Sequence, residues 1–120
     1  MAQWQYFKYK DFDCSETGTN EMSNEFITSL NELRRRCGFP FIITSGYRSP
    51  DHSIEKKKEK PGQHSLGVAA DIKVNNGVQK YKIVAEAINM KFTGIGIAKD
   101  FIHVDRRVLE NNASPVIWSY

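Results

Sequence analysis

Two stretches of the chain carry apolar residues at helical spacing. The first has them at a period close to 3.6 residues, at Met22, Phe26, Leu30, Leu33 and Cys37. Ser23 or Asn20 can cap the start of this helix, and Gly38 is placed to end it after three consecutive arginines. The pattern therefore predicts a helix over residues 22–37. A second helix is predicted over residues 78–90, with one face formed by Tyr81, Val84, Ala85 and Ile88.

Four further segments have the composition of β-strands. Residues 39–44 are rich in aromatic and β-branched side chains and predict a central strand. Residues 69–74 predict a second strand, because a turn signal follows them directly. Residues 94–98 and 101–105 predict a hairpin or two adjoining strands, with the bend at residues 99–100.

The two ends of the chain and its middle show no clear periodicity. Residues 4–12 hold five aromatic side chains, which predicts a segment packed on the core and allows a short strand. Residues 51–63 mix lysine and glutamate without periodicity and predict an exposed loop. Residues 106–120 predict an irregular tail, with Trp118 and Tyr120 packed against the domain.

The composition is that of one folded domain. The chain has 120 residues, of which 40% are hydrophobic and 12% aromatic, and this is enough for one core. No apolar run approaches the roughly 18 residues that a membrane span needs, and the N-terminus lacks the features of a signal peptide. We therefore expect a single domain over residues 1–120, made and kept in the cytoplasm unless something else exports it.

The charge of the chain indicates its class of partner, and the spacing of its two cysteines indicates the state of their thiols. The net charge of +3 is a mild excess that can favour an anionic polymer such as a cell wall. The basic residues are not interleaved with aromatics as on a nucleic-acid surface, and the arginines at 34–36 predict a solvated helix end. His52 lies in the lysine-rich loop, where we expect it to be exposed. Cys14 and Cys37 lack C-x-x-C spacing, and a cytosolic origin favours two free thiols.

The main chemical signal is a set of two imidazoles and a carboxylate in two separate segments. His64 and Asp71 lie seven residues apart, and His103 lies far downstream on a predicted strand. Two histidines and an aspartate are a common ligand set for a catalytic zinc, with one coordination position left open for water. Asp100, three residues before His103, is placed to deprotonate such a water. Taken alone this spacing is weak evidence, because H-E-x-x-H is absent.

The order of three motifs gives this signal a context. Residues 45–50 read Ser-Gly-Tyr-Arg-Ser-Pro, the His64–Asp71 pair follows, and a Gly-x-Gly at residues 94–96 leads into Phe-Ile-His-Val-Asp. This combination resembles the zinc D-Ala-D-Ala carboxypeptidase family, within the superfamily of lysostaphin-type peptidases, D-Ala-D-Ala metallopeptidases and the hedgehog amino-terminal domain. The resemblance covers about residues 5–107. The compact chain is most similar to versions carried by bacteriophages.

The resemblance implies a role for five residues. His64, Asp71 and His103 match the zinc ligands of the family. Asp100 matches the acidic general base that lies three residues before the last ligand. Arg48 matches an arginine that is placed to bind substrate or to stabilise the developing oxyanion, since a guanidinium suits a carbonyl oxygen or a carboxylate.

Two positions depart from the family pattern. Many relatives carry glutamate where this chain has Asp100, and serine is usual where it has Gly62. We expect neither change to remove the metal. Asp105 alternates with His103 along the predicted strand, so it can orient a ligand or pair with Arg48, and it is the second candidate for the base.

The resemblance implies an α+β fold: a small, mostly antiparallel sheet with helices packed on one side and a zinc cleft on the other. We expect hydrolysis of an amide bond in the peptide moiety of bacterial peptidoglycan, by a D-Ala-D-Ala carboxypeptidase or an endolysin-type endopeptidase cut. We expect the cofactor to be Zn²⁺ and the partner to be the stem peptide rather than nucleic acid or a membrane. We also expect a monomer that acts on the wall after release from the host cytoplasm, or as part of a virion.

Two other classes of protein fit the sequence. A catalytically inactive zinc-binding domain, structural or partner-binding in a virion, would retain metal without turnover, but the candidate base Asp100 argues against it. A nucleic-acid-binding domain using the arginines at 34–36 and the lysine-rich loop would bind with a steep salt dependence and would need no zinc. The scattered positions of the basic residues argue against this second class.

Overall fold

The computed structural model describes residues 4–60, 62–108 and 114–120. Within these ranges lie the helices α1 (Asn24–Cys37) and α2 (Gly77–Asn89) and the strands β1 (Ile43–Ser45), β2 (Ala69–Lys73), β3 (Gly94–Ile97), β4 (Phe101–Asp105) and β5 (Val116–Ser119). Two short 3-10 helices span Tyr9–Phe12 and Glu55–Lys57. Neither α-helix of these ranges has the length and apolar character needed to cross a membrane.

The five strands form one mixed sheet in the order β1-β2-β4-β3-β5. All neighbouring pairs are antiparallel except β3 and β5, which run parallel. The helix α2 packs against β3 and β4, and α1 packs against α2. The predicted α+β fold with a mostly antiparallel sheet is therefore confirmed, including the hairpin of β3 and β4.

The helix predictions are confirmed to within two residues at each end, but not in every packing detail. The Ser23 hydroxyl caps α1 by accepting the Phe26 N–H at 3.2 Å, and Gly38 ends it with a left-handed φ of 77°. In α2 the buried residues are Ile83 and Ala87. The predicted face of α2 is not the buried one, because Tyr81 and Ile88 are exposed and the helix meets its neighbours along a narrow stripe.

The prediction of a central strand over residues 39–44 is wrong. The strand β1 covers only Ile43–Ser45 and lies at the edge of the sheet. Pro40 has no N–H to donate to a ladder, and Phe39 and Phe41 pack against the core instead of extending the strand. The central strand of the sheet is β4, between β2 and β3.

The two ends of the chain also differ from expectation. Tyr9–Phe12 is a 3-10 helix rather than a strand, although Phe7 and Phe12 are buried as a packing role requires. The tail was predicted to be irregular, but Val116–Ser119 pairs with β3 as a fifth strand. Residues 109–113 of this tail lie outside the described part of the chain.

The predicted exposed loop, described except for residue 61, holds two buried polar side chains. His52 is 7% exposed, so the prediction of a solvated imidazole is wrong. Its Nε2 lies 3.2 Å from a Glu16 carboxylate oxygen, and its Nδ1 accepts the Ile54 N–H. Glu55 is buried as well. Both cysteines are free thiols, as predicted, and both are buried.

Side chains alternate along the two central strands and separate the core from the opposite face of the sheet. The core positions of β2 and β4 include Ala70, Ile72, Ile102 and Val104. The intervening side chains of Asp71, His103 and Asp105 project from the other face, because successive residues of a strand point to opposite sides. A polar site thus lies on rigid strands with the hydrophobic core directly beneath it.

Candidate metal centre

Strand pairing brings two of the predicted ligands together. Asp71 and His103 are direct partners in the antiparallel register of β2 and β4. His103 Nδ1 lies 3.0 Å from Asp71 Oδ1. His64 reaches the same carboxylate oxygen from the turn before β2, with its Nε2 at 3.4 Å. One donor atom from each residue lies within 4.8 Å of the other two, and all three residues are buried.

The turn that carries His64 is tightly held. Gly67 has a φ of 76°, and a Cβ at this position would lie 2.5 Å from the Glu21 carbonyl oxygen, so the turn requires glycine here. His64 Nδ1 lies 2.8 Å from the Gly46 carbonyl oxygen and donates its proton to it. This bond engages Nδ1 and leaves Nε2 as the nitrogen that faces Asp71.

A buried carboxylate holds the other nitrogen of His103. Asp105 Oδ2 lies 2.6 Å from His103 Nε2, and Asp105 is fully buried. Arg107 donates to both oxygens of this carboxylate through its Nε and Nη2. A carboxylate behind a ligating histidine fixes the ring orientation and leaves the first nitrogen free to bind metal. Asp105 therefore orients His103 and pairs with Arg107, not with Arg48.

The strand β3 contributes space instead of ligands. Gly94 is the register partner of Asp105, and a Cβ at Gly94 would overlap the Asp105 carboxylate. Gly96 is the partner of His103, and a Cβ there would lie 2.7 Å from the indole ring of Trp118. The Gly-x-Gly of the sequence therefore makes room for two side chains that adjoin the cluster.

The titration behaviour of the cluster follows from burial and from its hydrogen bonds. Burial alone would raise the pKa of Asp71, but hydrogen bonds from His103 and His64 outweigh it and hold that pKa below its usual range. Burial would likewise raise the pKa of Asp105, but His103 and Arg107 lower it to about 2. Burial lowers the pKa of His103, and the two carboxylates more than reverse this, so the pKa is raised.

The geometry of His103 explains the direction of its shift. Its imidazole lies between two carboxylates, with Nδ1 3.0 Å from Asp71 Oδ1 and Nε2 2.6 Å from Asp105 Oδ2, so the surroundings favour positive charge at this position. Two imidazole nitrogens and a carboxylate oxygen, all buried and preorganised, are a donor set that suits zinc. The residues present therefore fit the metal that the sequence predicts.

The cluster lies in a cleft of about 400 Å³. Its lining residues are Arg48, Lys58, Gly62, Gln63, His64, Asp71, Phe101, His103, Arg107, Trp118 and Tyr120. Three of them are cationic. Each pairs with a buried carboxylate, so the cleft offers guanidinium and ammonium donors to an anionic group without a large net positive charge. A larger groove of about 510 Å³ lies near the end of α2 and the start of β5, but none of its described lining residues carries an imidazole or a carboxylate.

Arg48 adjoins the cluster and is itself held in place. Its Nη2 lies 3.8 Å from Asp71 Oδ2, and its Nη1 lies 3.6 Å from the carboxylate of Glu55. Glu55 also accepts hydrogen bonds from Lys58 Nζ, the Ser65 hydroxyl and a backbone N–H. Burial would raise the pKa of Glu55, but these bonds lower it to about 2. Glu55 therefore ties Arg48 to the turn that carries His64.

The structure does not bring Asp100 to the cluster. Asp100 is exposed in the bend between β3 and β4, where its backbone carbonyl accepts the Val74 N–H at 2.9 Å. Its side chain is not part of the cleft lining. Of the carboxylates in the described residues, only Asp71 lines the cleft.

Three residues of the site were missed by sequence reasoning. Glu55 gives no signal, because a glutamate within a run of lysines has the pattern of a solvated surface. Arg107 and Trp118 lie in the segment predicted to be irregular. The run Val-Ile-Trp-Ser at residues 116–119 has strand composition, and this signal would have placed Trp118 in the sheet.

A mixed sheet with helices on one face and a buried His–Asp–His cluster on the other defines a candidate zinc-dependent hydrolase. The family model described as Peptidase M15 matches residues 5–105, and the chain belongs to this family. The family comprises zinc-dependent metallopeptidases with peptidoglycan-related activity, as the resemblance to zinc D-Ala-D-Ala carboxypeptidases implied. No curated protein matches the chain.

Proposed function

We propose that this protein is a monomeric zinc peptidase, a single domain over residues 1–120, which hydrolyses an amide bond in the peptide moiety of bacterial peptidoglycan. The observation that carries the proposal is the convergence of His64, Asp71 and His103 at one point of an open cleft whose lining includes three cationic side chains. The cut is that of a D-Ala-D-Ala carboxypeptidase or of an endolysin-type endopeptidase.

The three converging residues hold the metal in this proposal. A zinc ion, when bound, supplies a Lewis acid that polarises a carbonyl and makes water more acidic. His64 and His103 are ready for this role because Gly46 and Asp105 engage their other nitrogens. Metal and protons compete for the imidazole nitrogens, so the zinc affinity falls as the pH falls.

Arg48 binds the substrate in this proposal. Its guanidinium is 17% exposed at the cleft and lies beside Asp71, so it can reach a carbonyl oxygen or a terminal carboxylate of a peptide held there. Lys58 adds a second positive charge to the same lining. Stem peptides carry free carboxylates, and this charge pattern suits them.

The general base is proposed to be Asp100. Asp105 is the weaker candidate, because it is fully buried and both of its oxygens are engaged by His103 and Arg107. Asp100 is exposed and directly precedes Phe101, which lines the cleft. In this role Asp100 accepts a proton from the attacking water and later donates it to the leaving amine.

One observation favours a second candidate function. The exposed Asp100 does not line the cleft, and a site without a base binds metal without turning over substrate. A catalytically inactive zinc-binding domain of a virion, structural or partner-binding, therefore remains the alternative. It predicts zinc binding equal to that of an enzyme, with no release of wall fragments.

Digestion of purified peptidoglycan separates the two candidates. We expect the protein to release peptide fragments, to lose this activity with a chelator, and to regain it when zinc is added back. The masses of the fragments identify the bond that is cut. A protein that binds zinc but releases nothing from walls of several compositions supports the inactive domain instead. Activity that is insensitive to chelation contradicts both.

The setting of this activity is part of the proposal. Action on the wall after release from a bacterial host, or from within a virion, accords with the bacteriophage-type resemblance of the sequence. Fractionation of infected cells and of purified virions with an antibody to the chain distinguishes these two settings.

A further inference from the structure

The strand β5 lies outside the range 5–105 that the family model matches, yet it adjoins the cluster. Its Trp118 lines the cleft, and the indole lies 5.2 Å from the imidazole of His103 between ring centroids, with an interplanar angle of 49°. No role proposed above uses this residue. The question is what the contact does for the histidine.

The register of the sheet explains why the two rings meet. Gly96 in β3 pairs with His103 on one side and with Trp118 on the other. The indole lies across the bare Cα of Gly96, since a Cβ there would lie 2.7 Å from it. Asp71, His103, Gly96 and Trp118 thus form one row across β2, β4, β3 and β5.

A second path joins the same two residues. The guanidinium carbon of Arg107 lies 4.7 Å from the centroid of the Trp118 ring. Arg107 donates to the Asp105 carboxylate, which in turn accepts from His103 Nε2. The four residues form a closed ring, in which Trp118 supports the arginine and contacts the histidine directly.

We propose that Trp118 is a positioning residue of the metal centre. Its indole packs directly against the imidazole ring of His103. Through Arg107 and Asp105 it also fixes the hydrogen bond at His103 Nε2. Both contacts keep Nδ1 directed at Asp71. Ligands bind metal tightly when packing and hydrogen bonds behind them lock their rotamers. Without the indole, the Arg107 guanidinium loses its cation–π contact and the His103 imidazole loses a ring that packs against it. This inference rests on the metal centre of the proposed function.

The test compares zinc affinities, measured by competition with a chromophoric chelator. We expect Trp118→Ala to weaken zinc binding by about tenfold, at the lower end of what groups behind a ligand contribute. Trp118→Phe keeps an aromatic ring and should stay within about threefold of the wild type. Trp4→Phe is the matched control, because the Trp4 indole binds Thr28 on α1 and should leave the affinity unchanged.

A second readout distinguishes positioning from mere support of the fold. The visible absorption spectrum of the cobalt(II)-substituted protein reports the arrangement of the ligands, and we expect it to change in Trp118→Ala but not in Trp4→Phe. If Trp118→Ala lowers the melting temperature of the metal-free chain while affinity and spectrum stay unchanged, Trp118 is structural and the inference is overturned. If the alanine variant does not fold, Trp118→Leu keeps most of the bulk and takes its place in both measurements.

These readouts do not depend on turnover. A chain that binds zinc, shows the expected pattern among the variants and hydrolyses nothing would support the role of Trp118 and remove the proposed activity. A wild-type chain without measurable zinc affinity would overturn the metal centre and this inference together.

Discussion

Asp71 and His103 face each other across two antiparallel strands, with Asp71 Oδ1 3.0 Å from His103 Nδ1. Their backbones belong to the central pair of the sheet, and Ile72 and Val104 beside them are fully buried. Two of the three predicted ligands are therefore fixed by strand pairing, and only His64 depends on a turn. A site built on paired strands keeps its geometry better than one built on loops.

The first prediction concerns the metal content. We expect about one zinc per chain in the wild type, and a strongly reduced content in His103→Ala, because three protein ligands are typical of a catalytic zinc site and this variant lacks one. Elemental analysis after gel filtration measures the ratio. His52→Ala is the control, since His52 is as buried as the ligands but binds Glu16. Full zinc occupancy in His103→Ala would exclude His103 from the site.

Removal of the metal should destabilise the protein without unfolding it. Zinc that binds only the folded state adds about 2.7 kcal/mol to the free energy of unfolding when its free concentration is a hundred times Kd. For a domain of this size we expect chelation to lower the melting temperature by roughly 10 °C. The core beneath the sheet contains no ligand, so circular dichroism at room temperature should stay that of a folded chain. Loss of secondary structure on chelation would instead mean that the metal is structural.

Two aspartates near His103 should respond differently to neutralisation. Asp100→Asn should keep zinc affinity and fold, and turnover should fall by at least about a hundredfold, as loss of a general base typically does. Asp105→Asn breaks the bonds to His103 and Arg107, so it should weaken zinc binding by about 10- to 100-fold. At matched zinc content, Asp105→Asn should lose less activity than Asp100→Asn.

The assay for this pair is release of peptidoglycan fragments by purified variants of known zinc content. Near-normal fragment release by Asp100→Asn, together with loss of fragment release by Asp105→Asn, would identify Asp105 as the general base instead. Normal release by both variants would mean that neither carboxylate handles the proton.

Glu55 should make stability depend on pH in the acid range. Its pKa of about 2 in the fold lies below the ordinary value of 4.5, so its contribution is fully present above about pH 4.5 and is lost as the pH falls toward 2. The loss is on the order of 2–3 kcal/mol. Chemical denaturation from pH 7 to pH 2 measures it.

The comparison that isolates this group uses Glu55→Gln. The variant should be less stable than the wild type at pH 7, and the difference should close toward pH 2, because the buried charge is then absent from both. Glu59→Gln, an exposed change in the same loop, should follow the wild type throughout. Parallel curves for wild type and Glu55→Gln would contradict the assignment of a stabilising charge to Glu55.

Local signals in the sequence sufficed for much of the fold. A periodic apolar stripe, a Ser23 cap and a Gly38 stop define α1 without any knowledge of its neighbours. The strands β2, β3 and β4 follow from runs of apolar residues separated by turns. The histidines and aspartate of the cluster stand out because their side chains are the types that bind zinc, and the order of motifs around them implied the family that the match over residues 5–105 identifies.

Long-range pairing decided what the sequence left open or misplaced. The strand β1 ended at the edge, and β5 joined the sheet beside β3, because the choice of neighbour depends on contacts with residues far along the chain. The burial of His52 also depends on a distant partner, Glu16, and Glu55 is buried because the chain folds back to place Arg48 and Ser65 around it. A charged residue in a polar run gives no local sign that another loop will cover it.

The sequence by itself thus determined which residues are candidates for the chemistry, because side-chain type and spacing are local properties. Only the tertiary structure decided how those residues are held: Asp105 behind His103, Arg107 against Asp105, and Trp118 across Gly96. It also placed Asp100 in an exposed bend, which spacing from His103 cannot reveal. Register across four strands sets these relationships, and register is a property of the assembled sheet rather than of any one strand.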